Sequence, residues 1–218
     1  MKKAMVLLLF TALVMILTSC ITATAEEIRG IDYLVLVNKE NKLPDDWEDI
    51  VQVKSATSAS GKEIFVEAEA LEKYYELRNA LAEEEIYILL DSTYRTVAYQ
   101  EDLAQRFAKE YGLDYVRKYV AVPGYSEHHT GLAIDVCLRI GNLIVDDNDE
   151  MIACRNIFAK VHARLADYGF ILRYPEGKED ITGYSYEPWH FRYVGSPEIA
   201  HEIMDNGLTL EEYLVSKK

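Results

Sequence analysis

The sequence predicts an α+β domain with a small, mainly antiparallel sheet flanked by helices. Short apolar runs of strand type and longer amphipathic runs follow one another without regular β-α-β alternation. No repeat, low-complexity tract or Pro/Gly/Ser-rich linker divides residues 26–218, so the chain reads as one domain. Its 218 residues are half apolar and 28% charged, a globular balance with enough chain to bury a core.

In order, residues 31–37 form a β-type run, followed by a turn-rich stretch over 38–46. Residues 67–84 carry Ala70, Leu71, Tyr74, Leu77 and Leu81 at helical spacing. Residues 86–90 are an apolar strand candidate, and 96–111 a helix that Gly112 ends. A short strand is expected over 119–122, stopped by Pro123-Gly124, and another over 132–138. Residues 149–168 read as one amphipathic helix, with Ile152, Ile157, Val161 and Leu165 among its apolar positions and Gly169 closing it. Strands over 170–174 and 189–194 precede a final helix over 197–206, with Pro197 suited to its first turn.

Residues 1–25 read as a leader rather than as part of the fold. Lys2 and Lys3 precede a nearly unbroken apolar stretch over 4–17, too short for the ~20 residues of a bilayer span. Leu17-Thr18-Ser19-Cys20 resembles a bacterial lipobox, in which Cys20 is lipidated and becomes the new N-terminus. Ala23-Thr24-Ala25 before Glu26 fits ordinary signal cleavage instead. Both place residues 26–218 outside the cytoplasm, and the lipobox reading is the preferred one. The membrane is then expected to matter only through such an anchor. The formal charge of −14 excludes a nucleic-acid binder, which needs a basic surface. Cys137 and Cys154 remain, read as small buried thiols rather than a disulfide.

Chemistry concentrates in two segments, residues 123–135 and 186–190. His128, Asp135 and His190 would supply a His₂Asp set of the kind that holds Zn²⁺ with an open fourth position. His128 falls in a loop, Asp135 on the strand beyond Gly131, and His190 on another strand of the same sheet. Glu187, three residues before His190, could move a proton to or from water. Pro188 between them rules out a helical His-Glu-x-x-His motif. On spacing alone, a polar surface loop and a simple Glu–His ion pair remain alternatives.

Ser126-x-His128-x-x-Gly131-x-Ala133-x-Asp135, followed by Glu187-x-x-His190, resembles the signature of VanY-type zinc D-alanyl-D-alanine carboxypeptidases. These belong to a metallopeptidase group that includes lysostaphin-type enzymes and the hedgehog signalling domain. The likeness extends in order over residues 32–200, through Leu36-Val37-Asn38-Lys39, Ser92-Thr93-Tyr94-Arg95 with Gln100, and the segments 170–175 and 187–195. It implies a hedgehog/DD-peptidase-like fold and Zn²⁺ held by His128, Asp135 and His190. By the same resemblance, Glu187 is the general base and then acid, and Arg95 stabilises the oxyanion or holds substrate. Ser126 either donates to the substrate's terminal carboxylate or merely fixes its turn. The implied activity is removal of the terminal D-Ala from peptidoglycan stem peptides by a monomeric enzyme at the bacterial cell surface. An L,D-carboxypeptidase, a wall endopeptidase and a non-catalytic zinc-bound wall-binding module are the alternatives. His129 is expected to point away from the metal, Arg173 and Arg192 to pair with carboxylates without a catalytic role, and the acidic run 146–150 to be a solvated turn and helix start.

Overall fold

The computed structural model describes residues 30–114, 116 and 120–218. The leader expected over residues 1–25, and Tyr119 of an expected strand, lie outside the described residues. From Asp32 onward the chain packs as one unit.

The sheet that positions the site is antiparallel throughout. Strands β3 (Ile88–Ser92), β4 (Ala133–Ile140), β7 (His190–Tyr193) and β6 (Phe170–Leu172) lie side by side in that order, and β5 (Leu143–Val145) pairs with the far end of β4. A separate hairpin joins β1 (Val53–Thr57) to β2 (Glu63–Glu67). Helix α1 (Trp47–Ile50) precedes the hairpin, and α2 (Ala68–Glu83) follows it. Next come α3 (Val97–Tyr111), α4 (Asn148–Ala153), α5 (Arg155–Leu165), α6 (Glu179–Thr182), α7 (Pro197–Asp205) and α8 (Leu210–Ser216). Helices α5 and α7 pack on β6, and α2 packs on α5 and β3.

Local chemistry explains the helix starts. Glu67 caps α2, its carboxylate accepting from the Glu69 and Ala70 amides at 3.0 and 2.9 Å. Thr96 caps α3 through Tyr99 N–H, and Ser196 caps α7 ahead of Pro197. Thr209 and Glu212 form a reciprocal capping box on α8. Asp147 caps α4, so the acidic run is a turn and helix start as expected.

Three expectations are corrected. Residues 31–37 form no strand. The Tyr33 and Val35 carbonyls accept from the Arg192 guanidinium instead of a strand partner, while Val35 and Val37 are buried. Residues 120–122 are likewise not a strand, and the Ala121 carbonyl accepts from the Gln100 side chain. The single helix expected over 149–168 breaks at Cys154, whose ψ of 23° interrupts the run, and ends as a 3₁₀ turn over Ala166–Tyr168. The break lets Met151 line a cavity while Phe158, Val161 and Leu165 face the core. Both thiols are free, with Cys137 buried.

Candidate metal and catalytic site

The site is assembled by strand register. Ser92 on β3, Asp135 on β4 and His190 on β7 are direct cross-strand partners, so they form a row across three strands. Ile134 and Phe191, the next pair along, turn to the opposite face and are fully buried there. The register shifts between Leu90 and Ser92, a bulge that brings Ser92 opposite Asp135. His128 arrives from a 3₁₀ turn over Glu127–Thr130, closed by Gly131 at φ +73°. A side chain at Gly131 would be strained at that angle and would press on Glu67 and Val51 at 3.4 Å.

His128 Nδ1 donates to the Thr93 carbonyl at 2.9 Å, which leaves the lone pair on Nε2 facing Asp135 Oδ2 at 3.2 Å. His190 Nε2 donates to Glu127 Oε2 at 3.0 Å, which leaves Nδ1 facing Asp135 Oδ1 at 2.9 Å. That second approach lacks hydrogen-bond geometry, so Oδ1 is buried without a partner. With the His190 Nδ1 proton displaced, two imidazole lone pairs and a carboxylate face one another, with ligand atoms all within 4.8 Å. Donor atoms held this way need positive charge between them, supplied by the His190 proton in the metal-free chain and by a metal ion in the loaded site. A tetrahedral ion with bonds of about 2.0–2.1 Å spaces its donors ~3.3 Å apart, and the approaches of the two imidazoles to Asp135, at 3.2 and 2.9 Å, lie close to that spacing.

The outer partners fix the tautomers, as in metal sites generally. Burial, helped by the nearby Arg95 charge, pushes the His128 pKa down to about 4, so its ring is neutral. Burial also disfavours charge on His190. The Asp135 and Glu127 carboxylates outweigh this and hold its pKa at about 10 in the metal-free chain. A cation facing Nδ1 competes with that proton.

Glu127 is the residue that sequence reasoning missed. Its carboxylate lies at 2.6 Å from Arg173 Nε, 2.8 Å from Arg192 Nη1 and 3.0 Å from His190 Nε2. Arg173 in turn grips Glu211 of α8 bidentately, at 2.9 and 2.7 Å. Both guanidinium side chains are fully buried and Glu127 is 1% exposed. Burial opposes ionisation of Glu127, but the two arginines hold its pKa well below the usual carboxylate range. The expected pairing of Arg173 and Arg192 with carboxylates holds, and their shared partner touches His190.

The other predicted site residues, Glu187, Arg95 and Ser126, line one cavity with the three ligand candidates, and Tyr174, Tyr184 and Trp189 also border it. Glu187 Oε2 lies 3.7 Å from His190 Nδ1, and burial raises its pKa to about 7. Arg95 donates to Ser92 Oγ from two nitrogens and to Gln100 Oε1, and its Nη2 lies 3.5 Å from Asp135. Ser126 is buried, and its side chain makes no capping bond to the 3₁₀ turn. His129 points away as expected. Its Nδ1 donates to the Arg95 carbonyl and its Nε2 accepts from Gly124 N–H, tying the arginine segment to the turn. His162 Nε2 donates to the Pro188 carbonyl, beside Glu187, and His201 is an exposed partner of Asp167 and Asp205.

An imidazole and a carboxylate on the sheet, a second imidazole on the adjoining 3₁₀ turn, and a further carboxylate and a guanidinium at the cavity wall define a metal-dependent hydrolase site. A family model described as "VanY: D-alanyl-D-alanine carboxypeptidase" matches residues 63–196, and the chain belongs to that family. It is 39% identical over 187 residues to the bifunctional D-Ala-D-Ala dipeptidase and D-Ala-D-Ala carboxypeptidase VanXYC of Enterococcus gallinarum. That match covers 83% of this chain and 92% of the relative. Among solved structures, a vancomycin-resistance D,D-pentapeptidase VanY variant in complex with Zn(II) is similar at TM-score 0.68 and 30% identity, over 84% of this chain and 99% of that one. The LD-carboxypeptidase LdcB is similar at TM-score 0.70 and 34% identity, over 84% and 86%.

Proposed function

We propose that this VanY-family enzyme removes the terminal D-Ala from peptidoglycan stem peptides, with Zn²⁺ held by His128, Asp135 and His190. The observation that carries this reading is the convergence of His128 Nε2, His190 Nδ1 and the Asp135 carboxylate, whose ligand atoms all lie within 4.8 Å of one another. Bound there, the ion supplies a Lewis acid that acidifies water and polarises the scissile carbonyl.

The protein's own groups do the rest. Glu187, with a pKa near neutrality, takes a proton from the attacking water. It returns that proton to the nitrogen of the leaving D-Ala as the C–N bond breaks. Arg95, held by Ser92 and Gln100, offers a fixed guanidinium to the carbonyl oxygen as negative charge develops there. Ser126 donates to the terminal carboxylate of the substrate. The leader over residues 1–25 places the enzyme outside the cytoplasm, where wall peptides are, with Cys20 as a lipid anchor, and it acts as a monomer.

The test is mass spectrometry of a synthetic pentapeptide ending in D-Ala-D-Ala, with zinc-loaded protein and a chelated control. Metal-dependent loss of one alanine is expected. The likeness to an LD-carboxypeptidase favours a second reading, cleavage of a tetrapeptide ending in one D-Ala. Loss of alanine from the tetrapeptide alone would select it. Cleavage of neither by folded, zinc-bound protein would overturn both.

A further inference from the structure

A second groove, of about 680 Å³, opens beside the catalytic cavity, and Asp91 and Arg95 line both. The proposed reaction uses nothing on its far side. There the rings of Phe65 on β2 and Tyr99 on α3 are 40% and 49% exposed, beside Val53 and Tyr94. Large aromatic surface left open next to a substrate cavity marks a contact surface. Hydroxyl groups line the same groove, among them Ser58, Ser60 and Thr96. Thr93 also lines it, and its buried Oγ1 has no hydrogen-bond partner, although its carbonyl holds His128. Charge is mixed, with Lys62 and Glu63 both at the groove, so the lining selects no ion of either sign.

Aromatic faces beside hydroxyl donors and acceptors suit a pyranose ring. Its C–H face packs on an aromatic ring while its hydroxyl and acetamido groups exchange hydrogen bonds with serine and threonine. The residues of a stem peptide are small or charged and have no large apolar group to place on Phe65 and Tyr99. The unit beyond the stem is the amino sugar that carries it. At ~3.3–3.6 Å per residue, the four residues before the scissile bond reach ~13–14 Å, and Asp91 and Arg95 form the wall that the cavity and the groove share.

We propose that the groove over Phe65 and Tyr99 binds the N-acetylated amino sugar to which the stem peptide is attached. This rests on the carboxypeptidase reading and extends it: the enzyme prefers sugar-bearing stems over free peptides. The test compares a disaccharide-linked stem with the same free stem, using whichever stem length the enzyme cleaves. Wild type is expected to show at least ~10-fold higher kcat/KM on the sugar-bearing form, mainly through KM. The double variant F65A/Y99A is expected to lose that preference while cleaving the free peptide at the wild-type rate. Equal wild-type rates on the two forms, or a preference that survives in the double variant, would overturn the proposal. A parallel calorimetric measurement needs no cleavage. A disaccharide-tripeptide, which has no D-Ala to lose, should bind wild type at least ~10-fold more tightly than the free tripeptide, and the double variant should not discriminate. Sugar-dependent binding without hydrolysis would retain the groove and reject the activity. Hydrolysis without sugar-dependent binding would do the reverse.

Discussion

Replacing Glu127 by Gln tests whether the buried ion network organises the metal site. The change keeps the shape and removes one charge from a group that touches Arg173, Arg192 and His190 within 2.6–3.0 Å. In the wild type, two buried arginines are balanced by Glu127 and Glu211. The variant leaves one positive charge uncompensated where no water reaches it. Breaking a buried pair on one side costs ~3–5 kcal/mol. For a domain of this size, ~2–4 °C of melting temperature per kcal/mol gives a fall of roughly 6–20 °C in the metal-free protein. A second effect is independent of folding. His190 loses its charge-assisted acceptor, and an outer-partner loss of this kind weakens metal binding by ~10–100-fold. Thermal unfolding in chelator reads the first effect, and competition with a chromophoric zinc chelator reads the second. A folded E127Q protein with wild-type zinc affinity would refute the argument, because Glu127 would then not set the ring of His190.

Three further outcomes follow from the site. Glu187→Ala should retain zinc, by the same chelator competition, while kcat falls by ~10²–10⁴, the usual contribution of a positioned acid–base group. Arg95→Lys keeps the charge but loses the fork that grips Ser92 and Gln100, and kcat/KM should fall by ~10²–10³. The pH profile of kcat/KM should carry an acid limb set by Glu187, whose burial raises its pKa to about 7. The base works ionised, so activity falls as pH drops through that value, and positive charge in the loaded site moves the limb lower; the limb should be absent from the residual activity of Glu187→Ala.

The parts legible in the sequence are those whose chemistry is local. The helix over Ala68–Glu83 announces itself by apolar spacing, and Gly112 marks the end of the one over Val97–Tyr111. Strand β4 is a mainly apolar run whose first six positions are buried or half-buried, whereas β7 is legible only through the motif that holds His190. The site motifs are legible because His128, Gly131 and Asp135 sit within one turn and the strand after it. The hairpin strands β1 and β2 escape notice because four of five positions in β1 are exposed, so no alternation marks them. Residues 31–37 mislead for the opposite reason. Their apolar pattern suits a strand, but their carbonyls are taken by a guanidinium from β7.

Glu127 shows why spacing alone undervalues a residue between two conspicuous ones. In the sequence it is one of 37 acidic side chains, adjacent to a histidine pair. Its role exists only once β6 and β7 bring Arg173 and Arg192 to the same buried point and α8 adds Glu211. The four charges balance as two pairs, which is what allows them to be buried at all. His190 is hydrogen-bonded to the member of that set which could not be neutralised without cost. Its ring is therefore oriented by the core of the protein rather than by the cavity wall. The cavity lining can then change without moving the ring of His190, because the contact that orients it lies on the buried side, away from the substrate.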